Sequence, residues 1–206
     1  MSPPARLLAT AALAACACAA PAATLVRDLG QGLAYYRVHE LPEDLPSPVA
    51  AHPAPCIVDL RFAKADDPSA LVLRAWIKVN ASPRTPIFVL ENAGTSPALL
   101  ASMSRASAGV IVLAPESAKL GTDVTVRVGP EADRSSYDAL EKGASVDSLL
   151  LDYPDKPRVD EAYLEKEHIP DSDSPDAAPD KPRPLVDSML QRAVQLHRGL
   201  VALKRA

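Results

Sequence analysis

Apolar positions along the chain fall into two patterns, unbroken runs of strand length and stripes at helical spacing. Cys56-Ile57-Val58-Asp59-Leu60-Arg61 and Ile87-Phe88-Val89-Leu90-Glu91-Asn92 are apolar runs that close on polar residues. Between them, Asp67-Pro68 supplies a capping residue and a proline at the first helical position, and Leu71, Leu73, Trp76 and Ile77 form the apolar stripe of a helix reaching about Val79. Upstream, Leu25 to Glu40 reads as a hairpin whose turn is Gly30-Gln31-Gly32. The prolines at 42, 46, 48, 53 and 55 then exclude regular structure from the connection to Cys56.

Downstream of Gly94-Thr95-Ser96-Pro97 the same alternation continues. Pro97 opens a helix carrying Leu99, Leu100 and Met103, and Gly109 breaks into the run Val110 to Leu113. Val124, Val126 and Val128 alternate as a half-exposed strand within 122–128. Glu131 to Lys142 is helical, and Ser145 caps a short piece through Leu150. Strands alternating with helices predict βαβ units, so residues 24–152 are expected to form an α/β domain with a mainly parallel sheet.

Both ends of the chain differ from this middle. Residues 1–23 hold one cation, Arg6, then an apolar stretch and small residues, the layout of a signal peptide. Within it, Leu13-Ala14-Ala15-Cys16 matches the bacterial lipobox, which makes Cys16 a candidate for lipidation; a cut after Ala22, with Ala20 three positions before it, is the competing reading. Each predicts an exported protein of the bacterial periplasm or cell envelope. From 153 to 184 Pro, Asp, Lys and Glu dominate and Asp-Lys-Pro-Arg occurs twice, at 155–158 and 180–183, as expected of a disordered linker. The remaining segment, 185–206, is an amphipathic helix with Val186, Met189, Leu190, Ala193, Leu196, Leu200 and Leu203 on one face. Such a face must dock on its own core, on a second copy or on a partner protein.

Composition narrows the chemistry. The 206 residues suffice for one domain and a tail, and with 48% hydrophobic but only 4% aromatic residues the core must be built mainly from Ala, Val and Leu. A net charge of −4 and the absence of a Lys/Arg cluster argue against nucleic acid. The histidines at 39, 52, 168 and 197 show no metal-ligand spacing, and no cofactor motif is present. Of the three cysteines, Cys16 and Cys18 lie in the leader, and Cys56 opens an apolar strand as a small hydrophobe would.

From Leu29 to about Val126 the order of elements resembles the catalytic core of the C-terminal processing, or tail-specific, serine peptidases, which have a crotonase-like fold. Gly32-Leu33-Ala34-Tyr35-Tyr36-Arg37-Val38 is similar to that family's opening Gly-Ile-Gly-Tyr-Ile-Arg-Ile strand, and Ile57-Val58-Asp59-Leu60-Arg61 to its Ile-Leu-Asp-Leu-Arg strand. The run from Ile87 to Ser96 looks like the strand that delivers the nucleophile, and Val110 to Gly121 like the strand and loop that deliver a lysine. The resemblance implies Ser96, or Thr95, as nucleophile and Lys119 as the base that takes its proton. The chain departs from the family where Thr95-Ser96-Pro97-Ala98-Leu99-Leu100 replaces Ser-Ala-Ser-Ala-Ser-Glu, and where Phe62-Ala63-Lys64-Ala65 stands in place of a glycine pair. Those glycines free backbone donors for an oxyanion, which are worth several kcal/mol.

Read from the residues, Ser96 before Pro97 is expected to cap the helix with its hydroxyl, Lys119 to be solvated, and Asp59 and Arg61 to form a structural pair at the sheet's end. The leading expectation is therefore an exported, non-catalytic binding or assembly module derived from a peptidase-like core. It would meet a protein partner or a second copy through the helix 185–205, and a membrane only through a lipid on Cys16. The alternatives are a reduced serine hydrolase or peptidase with a Ser96/Lys119 dyad and a lipid-anchored envelope scaffold.

Overall fold

The computed structural model describes residues 26–45, 54–103, 108–151 and 184–205. The expected leader with Cys16 and the expected linker through Arg183 lie outside them. The described residues form six strands, β1 (Val26–Asp28), β2 (Ala34–Arg37), β3 (Cys56–Asp59), β4 (Ile87–Leu90), β5 (Val110–Pro115) and β6 (Val124–Val126), which pair in sequence order in one sheet. Only the β1–β2 hairpin is antiparallel; every later pair is parallel.

Among the described residues four helices cover the sheet: α1 (Asp67–Asn80), α2 (Pro97–Met103), α3 (Pro130–Glu141) and α4 (Ser188–Ala202). Crossovers of one hand that step repeatedly in the same direction stay on one face of a sheet, so α1 and α2 share a face. There Ala70, Leu73 and Ile77 of α1 and Leu99 and Met103 of α2 pack on Cys56, Val58, Ile87, Val89 and Val112. The other face needs a later cover. Leu140 of α3, Val146 and Leu149 of a short 3-10 turn, and Met189, Leu190, Ala193 and Val194 of α4 close over Tyr35, Ile57, Phe88, Leu90 and Leu113. With both faces covered, β3 and β4 are buried at every position, which is why they read as unbroken apolar runs.

Local signals set the helix ends. The cap of α1 is Asp66, not the expected Asp67, which is already helical: Asp66 accepts from the Ser69 amide at 2.9 Å, with Pro68 in the first turn, and the Ser145 hydroxyl accepts from the Ser148 amide at 3.2 Å. Helix α4 begins at Ser188 rather than at Leu185, because Asp187 is its cap and accepts from the Leu190 amide at 3.0 Å. Its apolar face lies on the chain's own sheet, with Leu203 left exposed. Gln191 fastens it further: the Leu151 amide donates to Gln191 Oε1 at 2.7 Å and Gln191 Nε2 donates to the Leu151 carbonyl at 3.1 Å. No helix among the described residues is long and apolar enough to cross a membrane.

Candidate functional site

Polar groups collect where the parallel strands end, the place where open α/β sheets bind ligands. Arg61, just past β3, is fully buried. Its Nε and Nη2 donate to the two oxygens of Asp59 at 2.9 and 2.7 Å, Nη1 donates to Asp133 of α3 at 2.9 Å, and Nη2 donates to Asp187 at the start of α4 at 2.7 Å. Tyr35 of β2 adds its hydroxyl to Asp59 at 2.8 Å. Burial pulls the Arg61 guanidinium toward losing its proton, but Asp187 and then Asp59 outweigh it and hold the pKa well above the usual arginine range. Burial, and next Asp59, push the Tyr35 phenol well above its ordinary value. The expected Asp59/Arg61 pair is thus the centre of a larger hub that ties strand, α3 and α4 together.

A second cluster extends it outward. Arg37 Nη2 lies 2.8 Å from Glu141, its guanidinium stacks 3.7 Å from the centre of the Tyr137 ring, and His39 Nε2 reaches the same Glu141 oxygen at 2.7 Å. Among the described residues no group of three His, Cys, Asp or Glu side chains is placed to hold a metal ion; the three aspartates of the hub turn on a guanidinium instead.

The turn from Glu91 to Ser96 is built from its own side chains. Asn92 Nδ2 donates to Asp133 at 2.8 Å, while its Oδ1 accepts from the Gly94 amide at 2.9 Å and the Phe62 amide at 3.4 Å. Thr95 Oγ1 accepts from the Asn92 amide and donates to the Leu60 carbonyl, both at 3.0 Å. Both roles of that hydroxyl are therefore spent on holding the turn against β3. Ser96 occupies the cap position of α2 with its carbonyl, which accepts from the Leu99 and Leu100 amides at 3.0 and 3.2 Å, but its buried Oγ has no hydrogen-bond partner. This corrects the expected capping hydroxyl. The Ser96 amide is held by the Ala63 carbonyl at 3.1 Å, and that main-chain bond, with Pro97 behind it, sets the turn without the side chain.

Lys119 is exposed, in the left-handed conformation (φ +52°) after one 3-10 turn, and makes no hydrogen bond with Ser96. Lys119 lines neither of the two clefts beside the turn. Ser96 opens on a cleft of about 380 Å³ whose walls include Glu40, Lys64, Asp66 and Ser69. A cleft of about 220 Å³ on the other side of the turn is lined by Phe62, Asn92, Gly94, Pro115, Ser117, Ala118, Pro130, Asp133 and Arg134. Phe62, itself left-handed at φ +61°, lays its ring over Gly94 so closely that a Cβ there would sit 2.3 Å from Phe62 Cδ1. The ring is also edge-on to Tyr137 at 4.8 Å and carries the Arg134 guanidinium 4.5 Å above it. A non-glycine residue in this conformation costs about 1–3 kcal/mol and persists only where its surroundings hold it, which here are the ring contacts.

Two buried acidic groups stand apart from the hub. Glu91 is 3% exposed, its Oε1 has no partner, and burial pushes its carboxyl up to about 7. Burial likewise pushes the Cys56 thiol up to about 12, so it packs as an apolar group rather than as a nucleophile.

Reasoning from sequence missed Asp133, Asp187, Glu91 and Phe62. Asp133 had a signal: it shares the buried stripe of α3 with Ser136, Tyr137 and Leu140, and a carboxylate on such a stripe calls for a buried cation. Comparison of the chain with protein-family models, with curated proteins and with solved structures found no match in any of the three.

Proposed function

We propose that the chain is an exported, non-catalytic binding or assembly module on a crotonase-like core, with the cleft beside Phe62 as its binding site. The observation that carries this reading is the fate of the hydroxyls: Thr95 spends both of its hydrogen-bonding roles on the turn, and Ser96 has no base bonded to it, with Lys119 in solvent. A serine is a weak nucleophile until a base within hydrogen-bond reach takes its proton. The resemblance of the strand motifs, the signal-like residues 1–23 and the lipobox at Cys16 support the core type and the export. Around the Phe62 cleft, apolar walls and a few fixed polar groups suit the side chain of a bound molecule better than a reaction.

One observation favours the second reading, a reduced serine hydrolase. The buried Ser96 hydroxyl is unpartnered, and Ser96 lines a cleft together with Lys64, not Lys119. Turnover of a p-nitrophenyl ester by the wild type, Ser96→Ala and Lys64→Ala separates the two. Equal, background rates are expected for all three; a rate that falls at least tenfold in both variants establishes the hydrolase.

A further inference from the structure

The outer face of α1 is apolar where a surface helix is ordinarily polar. Ala70, Leu73 and Ile77 face the core, and on the opposite side Leu71, Ala75 and Val79 fall four apart to form one ridge, with Val72 beside it. Leu71 is 63% exposed, Val72 45% and Val79 77%, and with Leu185 and Leu203 they are the large apolar side chains most exposed among the described residues. Three of the five therefore share one helix face. Exposed Arg74 and Lys78 run along one flank of the ridge.

We infer that this face docks an acidic amphipathic helix of a partner protein, apolar side chains on the Leu71-Ala75-Val79 ridge and carboxylates against Arg74 and Lys78. Ala75 at the centre lets a second helix approach closely, as small residues do wherever helices cross. The flanking charges decide the occupant. A second copy paired about a two-fold axis at Ala75 would set Lys78 of one α1 within a helical turn of Arg74 of the other, gathering four cations around the axis, and like charges held together oppose association. Acidic side chains remove that repulsion and steer the encounter. The inference names the partner of the proposed assembly role but is independent of what Ser96 does.

The test uses the full chain and two fluorescein-labelled synthetic helices, identical in their leucine and alanine face, one with glutamates and one with lysines on the other positions, read by anisotropy. Saturable binding of the glutamate peptide is expected, at least tenfold tighter than that of the lysine peptide and weakened by salt. Leu71→Gln with Val79→Gln should weaken it at least tenfold, and Arg74→Glu with Lys78→Glu should reverse the preference between the peptides. Equal affinities, or no binding up to a concentration on the order of 1 mM, overturn the proposal. So does a wild-type dimer in sedimentation that the Leu71/Val79 variant loses, which would assign the face to a second copy. A melting temperature several degrees lower in that variant would place the face under the chain's own residues and overturn it as well.

Discussion

Arg61 and Asp187 stand 126 positions apart and meet at 2.7 Å in the protein's interior. One carboxylate thus caps α4 and neutralises the cation at the end of β3, so the last helix is bound to the sheet by charge as well as by its apolar face.

That double role sets the cost of losing either partner. Asp187→Asn keeps a capping group but leaves Arg61 with two of its three carboxylates, and is expected to cost about 3 kcal/mol. Arg61→Met, which strands three buried carboxylates, should cost about 5 kcal/mol and leave a marginal fold. Urea unfolding at neutral pH measures both; the expected order is Arg61→Met worse than Asp187→Asn, and near-wild-type stability in either would show that the hub does not hold α4.

Glu91 makes stability depend on pH in a fixed direction. Its ordinary value of 4.5 applies to the unfolded chain and about 7 to the folded one. Below about 4.5 both states hold the proton and nothing changes. Between about 4.5 and about 7 only the unfolded state gives it up, so stability falls as pH rises; above about 7 the loss is complete, at about 3 kcal/mol. Glu91→Gln cannot ionise. Its unfolding free energy should exceed the wild type's at pH 8 and match it near pH 4.5, and a gain that is the same at both would refute the assignment.

Gly94 is required for space rather than for backbone freedom. Gly94→Ala places a methyl 2.3 Å from Phe62 Cδ1 and 3.2 Å from Asn92 Oδ1, so the ring must leave the cleft wall, at a cost of about 1–3 kcal/mol. Phe62→Ala in the same chain should recover part of that cost. Additive losses in the double variant would mean that the two residues do not touch.

The two hydroxyls of the turn should respond oppositely. Thr95→Val keeps the shape and strands the Asn92 amide, while the Leu60 carbonyl still accepts from the Ala63 amide, for a loss of about 1–3 kcal/mol; Ser96→Ala removes a hydroxyl that bonds to nothing and should be neutral or slightly stabilising. Chemical denaturation of both variants checks the contrast.

Much of this fold can be read from local pattern. Unbroken apolar runs mark β3, β4 and β5, and alternation marks β6; Asp67-Pro68 marks the start of α1, although its cap is Asp66, one position earlier; and the spacing of Asp59 and Arg61 marks a pair at a strand end. What local pattern cannot carry is a partner brought by topology. Asp133 and Asp187 reach Arg61 across 72 and 126 positions, and nothing near Arg61 announces a second and third carboxylate. The turn misleads for a subtler reason. Ser96 has the right residue type at the right place for a cap, but main-chain bonds to Ala63, Leu99 and Leu100 already satisfy that corner, and the side chain is left over. Lys119 follows from the resemblance of Val110 to Gly121 to a lysine-bearing loop, whereas Lys64, from the loop that stands in place of the glycine pair, shares a cleft with the serine.

Whether that leftover hydroxyl reacts is the question on which the account turns. Intact mass of the purified protein after incubation with a fluorophosphonate answers it in one measurement. The expected spectrum is unmodified protein, identical for the wild type and Ser96→Ala; a single stoichiometric adduct on the wild type that Ser96→Ala abolishes would contradict the non-catalytic reading and make the turn an active site.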